Sequence, residues 1–143
     1  MAIKNHFKMT FDSLSENVGI ARLTAAAFAA QLDFTINEIE EIKVAVSEAI
    51  SNSVIHGYGN DSGDVELVMK LYDDRVEYIV IDKGRGIEDI EQARQPSYSS
   101  DPERMGLGFV FMETFMDELV IETELQKGTI VRMIKKVQLN KAH

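Results

Sequence analysis

Apolar residues recur along this chain in two rhythms, and the switches between them divide it into elements. In "HFKMTFD" (6–12) Phe7, Met9 and Phe11 alternate with polar residues, the period of two that predicts a half-buried strand. From Val18 to Leu32 the alternation gives way to an Ala-rich stretch that predicts a helix, with Ser13 and Glu16 at capping-box spacing before it. Thr35 and Glu38 repeat that spacing ahead of a second helix. Its Ile39, Ile42, Val46, Ala49, Ile50 and Ser53 trace one stripe at helical period, and Gly57 and Gly59 supply the backbone freedom to end it.

"GNDSGD" (59–64) then reads as a turn. Two alternating runs follow, Val65, Leu67, Met69 and Leu71, then Val76, Tyr78 and Val80; joined at Asp73–Asp74, they predict a hairpin. Residues 82–108 hold turn residues and no sustained period, which predicts a long loop with one short helical piece. A loop of that length inside a domain is usually functional. Helical spacing resumes in "FVFMETFMDEL" (109–119), and "LVIETEL" with "GTIVRMIKKV" predicts a closing hairpin. Strands gathered in hairpins and separated from helices argue for an α+β fold: a two-layer sandwich of a mixed, largely antiparallel sheet with helices packed on one face. Residues 1–137 read as a single domain, and "QLNKAH" (138–143) as a polar tail.

Composition narrows the function. A 45% hydrophobic and 27% charged chain of 143 residues is that of a globular domain with a real core. No apolar run reaches the roughly 18–20 residues of a membrane span, and the first residues alternate instead of forming a signal-peptide core, so a cytoplasmic location is expected. Absence of cysteine removes disulfides, thiolate metal sites and a thiol nucleophile. The net charge of −9 repels phosphate backbones and disfavours direct nucleic-acid binding. A bound nucleotide would need local donors and a metal ion to oppose that field.

Four short segments carry candidate chemistry. Glu48 and Asn52 are four apart, hence stacked on one helical face, flanked by Ala45, Ala49, Ser51 and Ile55. "DKGRGI" (82–87) follows a strand, so Asp82 sits at a strand end, while Gly84 and Gly86 allow close backbone approach. It lacks the third glycine of a dinucleotide fingerprint, and no G-x-x-x-x-G-K-[ST] is present. "RMGLGF" (104–109) puts two glycines just before a helix, where free N–H groups favour an anion and Arg104 adds charge. "KGT" (127–129) lies between the last two strands. Each alone is equally well an ordinary turn or a solvated helix stripe.

Together and in this order the four segments resemble the GHKL ATP-binding superfamily of histidine-kinase catalytic domains, type II topoisomerases, Hsp90 and MutL. "VSEAISNSVIHGYGN", "IEQARQP", "MGLGFVFMETFMDE" and "KGT" extend the resemblance, from Phe7 to Lys136, to the anti-sigma factors of sporulating bacteria within that superfamily.

The resemblance implies a nucleotide-contacting set of Asn52, Asp82, Gly84, Gly86, Ile87, Arg104, Gly106, Leu107, Gly108, Phe109 and Thr129. Within it, Asn52 would hold Mg²⁺ against the phosphates of ATP or ADP, Asp82 would accept from the adenine amino group, and residues 88–105 would form a lid. Glu48 would be the general base of a protein serine kinase. Implied partners are a sporulation sigma factor and the serine-phosphorylated anti-anti-sigma factor, with Arg22 on the surface that contacts them and a homodimer as the assembly. The lid departs from the family pattern in being shorter, with Met105 before the first phosphate glycine. The competing readings are a nucleotide-gated anti-sigma protein of the general stress-response type, which transfers no phosphate, and the catalytic domain of a histidine kinase. The three histidines and the absence of a separate dimerisation helix weigh against the last.

Overall fold

The first alternating run becomes β1 (Asn5–Asp12), which pairs antiparallel with β2 (Asp64–Leu71), bringing Phe7 opposite Met69 and Phe11 opposite Val65. The computed structural model describes residues 2–59, 61–93 and 105–138. β2 turns through residues 72–74 into β3 (Arg75–Asp82), and β4 (Glu118–Glu124) into β5 (Gly128–Lys136). The five strands form one sheet in the order β1-β2-β3-β5-β4, with every pairing antiparallel. Between β1 and β2 in the chain lie α1 (Glu16–Ala29) and α2 (Ile36–Asn52); α4 (Met105–Phe115) precedes β4.

The helices cover one face of the sheet, as the α+β reading expected. Val65, Leu67, Met69, Val76, Tyr78, Val80, Val131 and Met133 point at Ala21, Ala25, Ile42, Val46, Ala49, Ile50, Phe109 and Met112 in a single core. Tyr78 is fully buried, yet its hydroxyl is satisfied, donating to the Ala25 carbonyl at 2.6 Å. Strand period two leaves the opposite face to Lys8, Glu66, Lys70, Arg132 and their neighbours. No helix among the described residues is long and apolar enough to cross a membrane.

Three local expectations change. The Thr35–Glu38 capping box forms, with Glu38 N donating to Thr35 Oγ1 at 3.1 Å and Thr35 N to Glu38 Oε1 at 2.8 Å. The Ser13–Glu16 box does not, because Ser13 is held just beyond the strand ends: its amide donates to the Gly63 carbonyl, and its hydroxyl accepts from Gly63 N at 3.1 Å. α1 therefore starts at Glu16 behind Ser15. At the far end of α2, Gly57 does not stop the winding. The chain widens into a π-helical turn, Ser53–Tyr58, and ends at Gly59 with φ of 62°. Finally, α4 starts at Met105 and not at Phe109, so Gly106 and Gly108 stand inside its first turn instead of ahead of it. A short helix, α3 (Ile90–Ala93), opens the long loop; residues 94–104 of that loop and the tail from 139 lie outside the described residues.

Candidate functional site

Asp82 ends β3, and its carboxylate is held from two elements. It is buried, Ser53 Oγ donates to its Oδ2 at 2.8 Å, and Gly84 N donates to its Oδ1 at 3.0 Å. Burial pushes its carboxyl above the ordinary value, and the donors at Gly84, Ser53 and the Thr129 amide pull it back toward the ionised form.

The turn after Asp82 is fastened on both sides. Arg85 N donates to the Gly57 carbonyl at 2.9 Å, and Arg85 Nε to the His56 carbonyl at 2.5 Å. Gly84 lies so close to Gly57 that a Cβ would come within 2.2 Å of its carbonyl oxygen. Lys83 N donates to Tyr58 Oη at 2.8 Å. On the other flank Gln126 N donates to the Arg85 carbonyl, and Ile87 N donates to Thr123 Oγ1 at 2.9 Å. Thr123 Oγ1 is also 2.9 Å from Thr129 Oγ1. The π-helical turn makes this possible: its wider winding directs Ser53, His56 and Gly57 together at the end of β3.

A second cluster forms one turn back along α2. Glu48 and Asn52 face the first turn of α4, where Gly108 comes so near that a Cβ would lie 2.8 Å from Glu48 Oε2 and 3.6 Å from both Asn52 amide atoms. Asn52 and Phe109 also line the narrow cavity that reaches Asp82, whose other walls include Ser53, His56, Gly86, Ile87 and Thr129. Segments far apart in sequence, at 48–57, 82–87, 108–109 and 129, thus meet along one cleft. A much larger cavity of about 910 Å³ opens on the far side of the Gly57–Gly84 contact, lined by Ile55, Tyr58, Asp61, Lys83 and Arg85. It is an open groove whose lining includes none of Glu48, Asn52 and Asp82.

The remaining sequence candidates fall in three places. Gly106 and Leu107 are in the first turn of α4, whose leading amides have no partner within the helix. Arg22 is on the exposed side of α1, away from the cleft, beside Ile20 and Leu23, both more than half exposed. Arg104 lies outside the described residues. Sequence reasoning missed Ser53, Thr123, Tyr58 and Arg85. Only Ser53 left a signal: a hydroxyl on an otherwise apolar stripe needs a partner once buried.

A divalent cation fits this arrangement only as a metal carried by phosphates. Among the described residues no group of three or more His, Asp and Glu side chains gathers as a metal site. Asn52 offers a single amide oxygen, and its buried Nδ2 has no hydrogen-bond partner among the described residues, so a half-turn of the amide would sacrifice nothing. Mg²⁺, which keeps waters and phosphate oxygens as ligands, suits one such protein oxygen.

Comparison with known proteins identifies the family. Residues 11–135 match the family described as the histidine kinase-like ATPase domain. The chain is 46% identical over 143 residues to the "Anti-sigma F factor" of Geobacillus kaustophilus, covering 98% of each. It is 48% identical over 139 residues to the "Anti-sigma F factor" of Clostridium botulinum, covering 95% of this chain and 97% of that one. Among solved structures, the RsbU and RsbW domains of a Mycobacterium tuberculosis protein superpose with a TM-score of 0.66 at 22% identity. That match spans 93% of this chain and 32% of the other, and it is a likeness of fold.

Proposed function

The chain belongs to the histidine kinase-like ATPase family, among the anti-sigma F factors, and from that premise we propose that it is an ATP-dependent protein serine kinase that also captures a sporulation sigma factor. The kinase would phosphorylate, and so inactivate, the anti-anti-sigma factor. The observation that supports this most is the meeting of Glu48 and Asn52 with Gly108 at one end of a cleft whose other end is Asp82.

In this reading Asp82 accepts a hydrogen bond from the exocyclic amino group of adenine, while Gly84, Gly86, Ile87, Phe109 and Thr129 form the walls around the base. The amides of Gly106, Leu107 and Gly108, at the start of α4, face the phosphates with the helix dipole behind them. Asn52 would hold Mg²⁺, which would supply the positive charge that neutralises the phosphate oxygens. The cavity at Asp82 is about 20 Å³, less than a purine occupies, so base entry must widen it.

Glu48 orients the serine hydroxyl of the partner and takes its proton. The serine oxygen then bonds to the γ-phosphorus as the bond from that phosphorus to the bridging oxygen breaks, and ADP leaves. The same reading gives Arg22, on the exposed face of α1, to the surface that meets the sigma factor and the anti-anti-sigma factor, and makes the working assembly a homodimer. With a net charge of −9 the chain would act on transcription through these proteins and not through nucleic acid.

Incubation with Mg–ATP and a candidate anti-anti-sigma factor, followed by mass spectrometry, tests the proposal by the appearance of phosphoserine. Glu48→Gln is expected to keep nucleotide affinity and to lose roughly 10²–10⁴-fold in transfer rate, the usual worth of a general base. Transfer by that variant at the wild-type rate refutes the role of Glu48.

A further inference from the structure

Asp82 is fixed by more than its own turn. Gly84 N, two residues on, holds Oδ1, and with that bond alone the carboxylate could still pivot about its side-chain axis. The second oxygen is pinned from another element, by the hydroxyl of Ser53 at 2.8 Å. Ser53 is buried, and its neighbour Gly57 presses the carboxyl group from the side, where a Cβ would stand 3.0–3.1 Å from its atoms. Ser53 therefore has a fixed role in the bond: Oδ2 of the ionised Asp82 can only accept, so the hydroxyl must donate.

We propose that Ser53 is a positioning residue that sets purine selectivity, holding the Asp82 carboxylate in plane, and as an acceptor, toward the exocyclic amino group of the base. The proposal rests on the adenine role given to Asp82 above. Its logic is the opposite hydrogen-bonding character of the two purines at this edge. Adenine offers an amino donor where guanine offers a carbonyl acceptor, and an ionised, oriented carboxylate matches only the first. Without Ser53, Asp82 keeps Gly84 and Thr129 but gains freedom to turn. Loss of the Ser53 donor also removes one of the bonds that favour the ionised form, so the carboxylate no longer presents a fixed acceptor that rejects guanine.

The test is calorimetric binding of three triphosphates to the full chain: ATP, GTP and purine riboside triphosphate, which is ATP without the amino group. The variants are Ser53→Ala, Ser53→Val and Ser53→Thr; Val and Thr share a shape, and only Thr keeps the hydroxyl. Wild type is expected to prefer ATP over the deamino analogue by about tenfold or more, the worth of a hydrogen bond to a charged group. Ser53→Ala and Ser53→Val should lose most of that preference and bind the analogue as wild type does, while Ser53→Thr retains it. A Val variant with undiminished preference overturns the proposal. So does an equal loss toward ATP and the analogue, which would mark a merely structural role; Ser53→Ala serves if Val disturbs the fold. Failure of wild type to distinguish ATP from the analogue is a different result, which removes the adenine role of Asp82 and this proposal with it.

Discussion

The two ends of the cleft are built by opposite means. At the Asp82 end nearly everything is tied: Ser53 and Gly84 hold the carboxylate, Tyr58 holds Lys83, the Gly57 and His56 carbonyls hold Arg85, and Thr123 holds Ile87. The Glu48 end is shaped by an omission, the missing side chain of Gly108, and carries an Asn52 amide nitrogen that is buried without a partner among the described residues. A buried unpaired polar group costs about 1–3 kcal/mol, a cost recovered when a ligand pairs it. The contrast matches the two tasks proposed for the cleft. A flat base with one donor edge is recognised by an acceptor that cannot move. A phosphate chain brings its own oxygens and cation, so that end needs space and a positioned acid.

If the two ends are separable, variants should strike one and spare the other. Beside Glu48→Gln, the largest effect is expected from Gly108→Ala. The added methyl would meet Glu48 Oε2 at 2.8 Å, and because that atom is the tip of a side chain, the carboxylate swings aside while the helices stay packed. A shift of about 1 Å in a catalytic group can cost on the order of 10²-fold in rate. Phosphotransfer assays should show that loss, with nucleotide affinity changed far less. Equal losses in rate and in affinity would erase the distinction between the ends.

Asp82→Asn strikes the other end and should weaken ATP binding by roughly tenfold, since one charged acceptor becomes a neutral amide. The same substitution should raise thermal stability at neutral pH. Burial lifts the Asp82 carboxyl above its ordinary value, so the native chain binds a proton to higher pH than the unfolded chain does, and this residue's contribution to stability falls as pH rises through that interval. Asparagine has no such loss. The gap in melting temperature between variant and wild type should therefore close as pH drops toward 3.8, the value of a free aspartate. A variant less stable than wild type at every pH would show that the network, and not function, is what the acid serves.

These contrasts also mark where sequence stops being informative. The alternation of Phe7, Met9 and Phe11, the Thr35–Glu38 box, the α2 stripe and the two hairpins are local patterns, and each appears in the fold where its spacing predicts. Glu48 and Asn52 were visible because one helical turn guarantees that they share a face. What failed to show was set by distant contacts. Ser13 has a cap's spacing, but Gly63, just outside β2, holds its hydroxyl and amide instead. Gly106 and Gly108 lower helix propensity enough to hide the start of α4, and only the approach of Gly108 to Glu48 explains a glycine there. Ser53 and Asp82 are 29 residues apart, and Thr123 and Ile87 are 36; no periodicity relates them.

The smallest expected effect tests how far the tied end extends. Thr123 joins the 82–87 turn to β4 and β5: it accepts from Ile87 N, sits 2.9 Å from Thr129 Oγ1, and donates weakly to the Gly128 carbonyl at 3.2 Å. Valine keeps its shape and removes all three contacts. Ile87 N, half-buried, then has no acceptor from that side, and a loss of about 1 kcal/mol in stability is expected by denaturant unfolding. If rigidity of the Asp82 turn is what distinguishes the base, Thr123→Val should also lower ATP affinity by a few-fold while leaving the transfer rate at saturating ATP intact. Thr123→Ser, which restores the hydroxyl on a smaller frame, should recover the affinity. Lost stability with ATP affinity unchanged would confine the working network to Ser53 and Gly84, and leave the β4 side as scaffold.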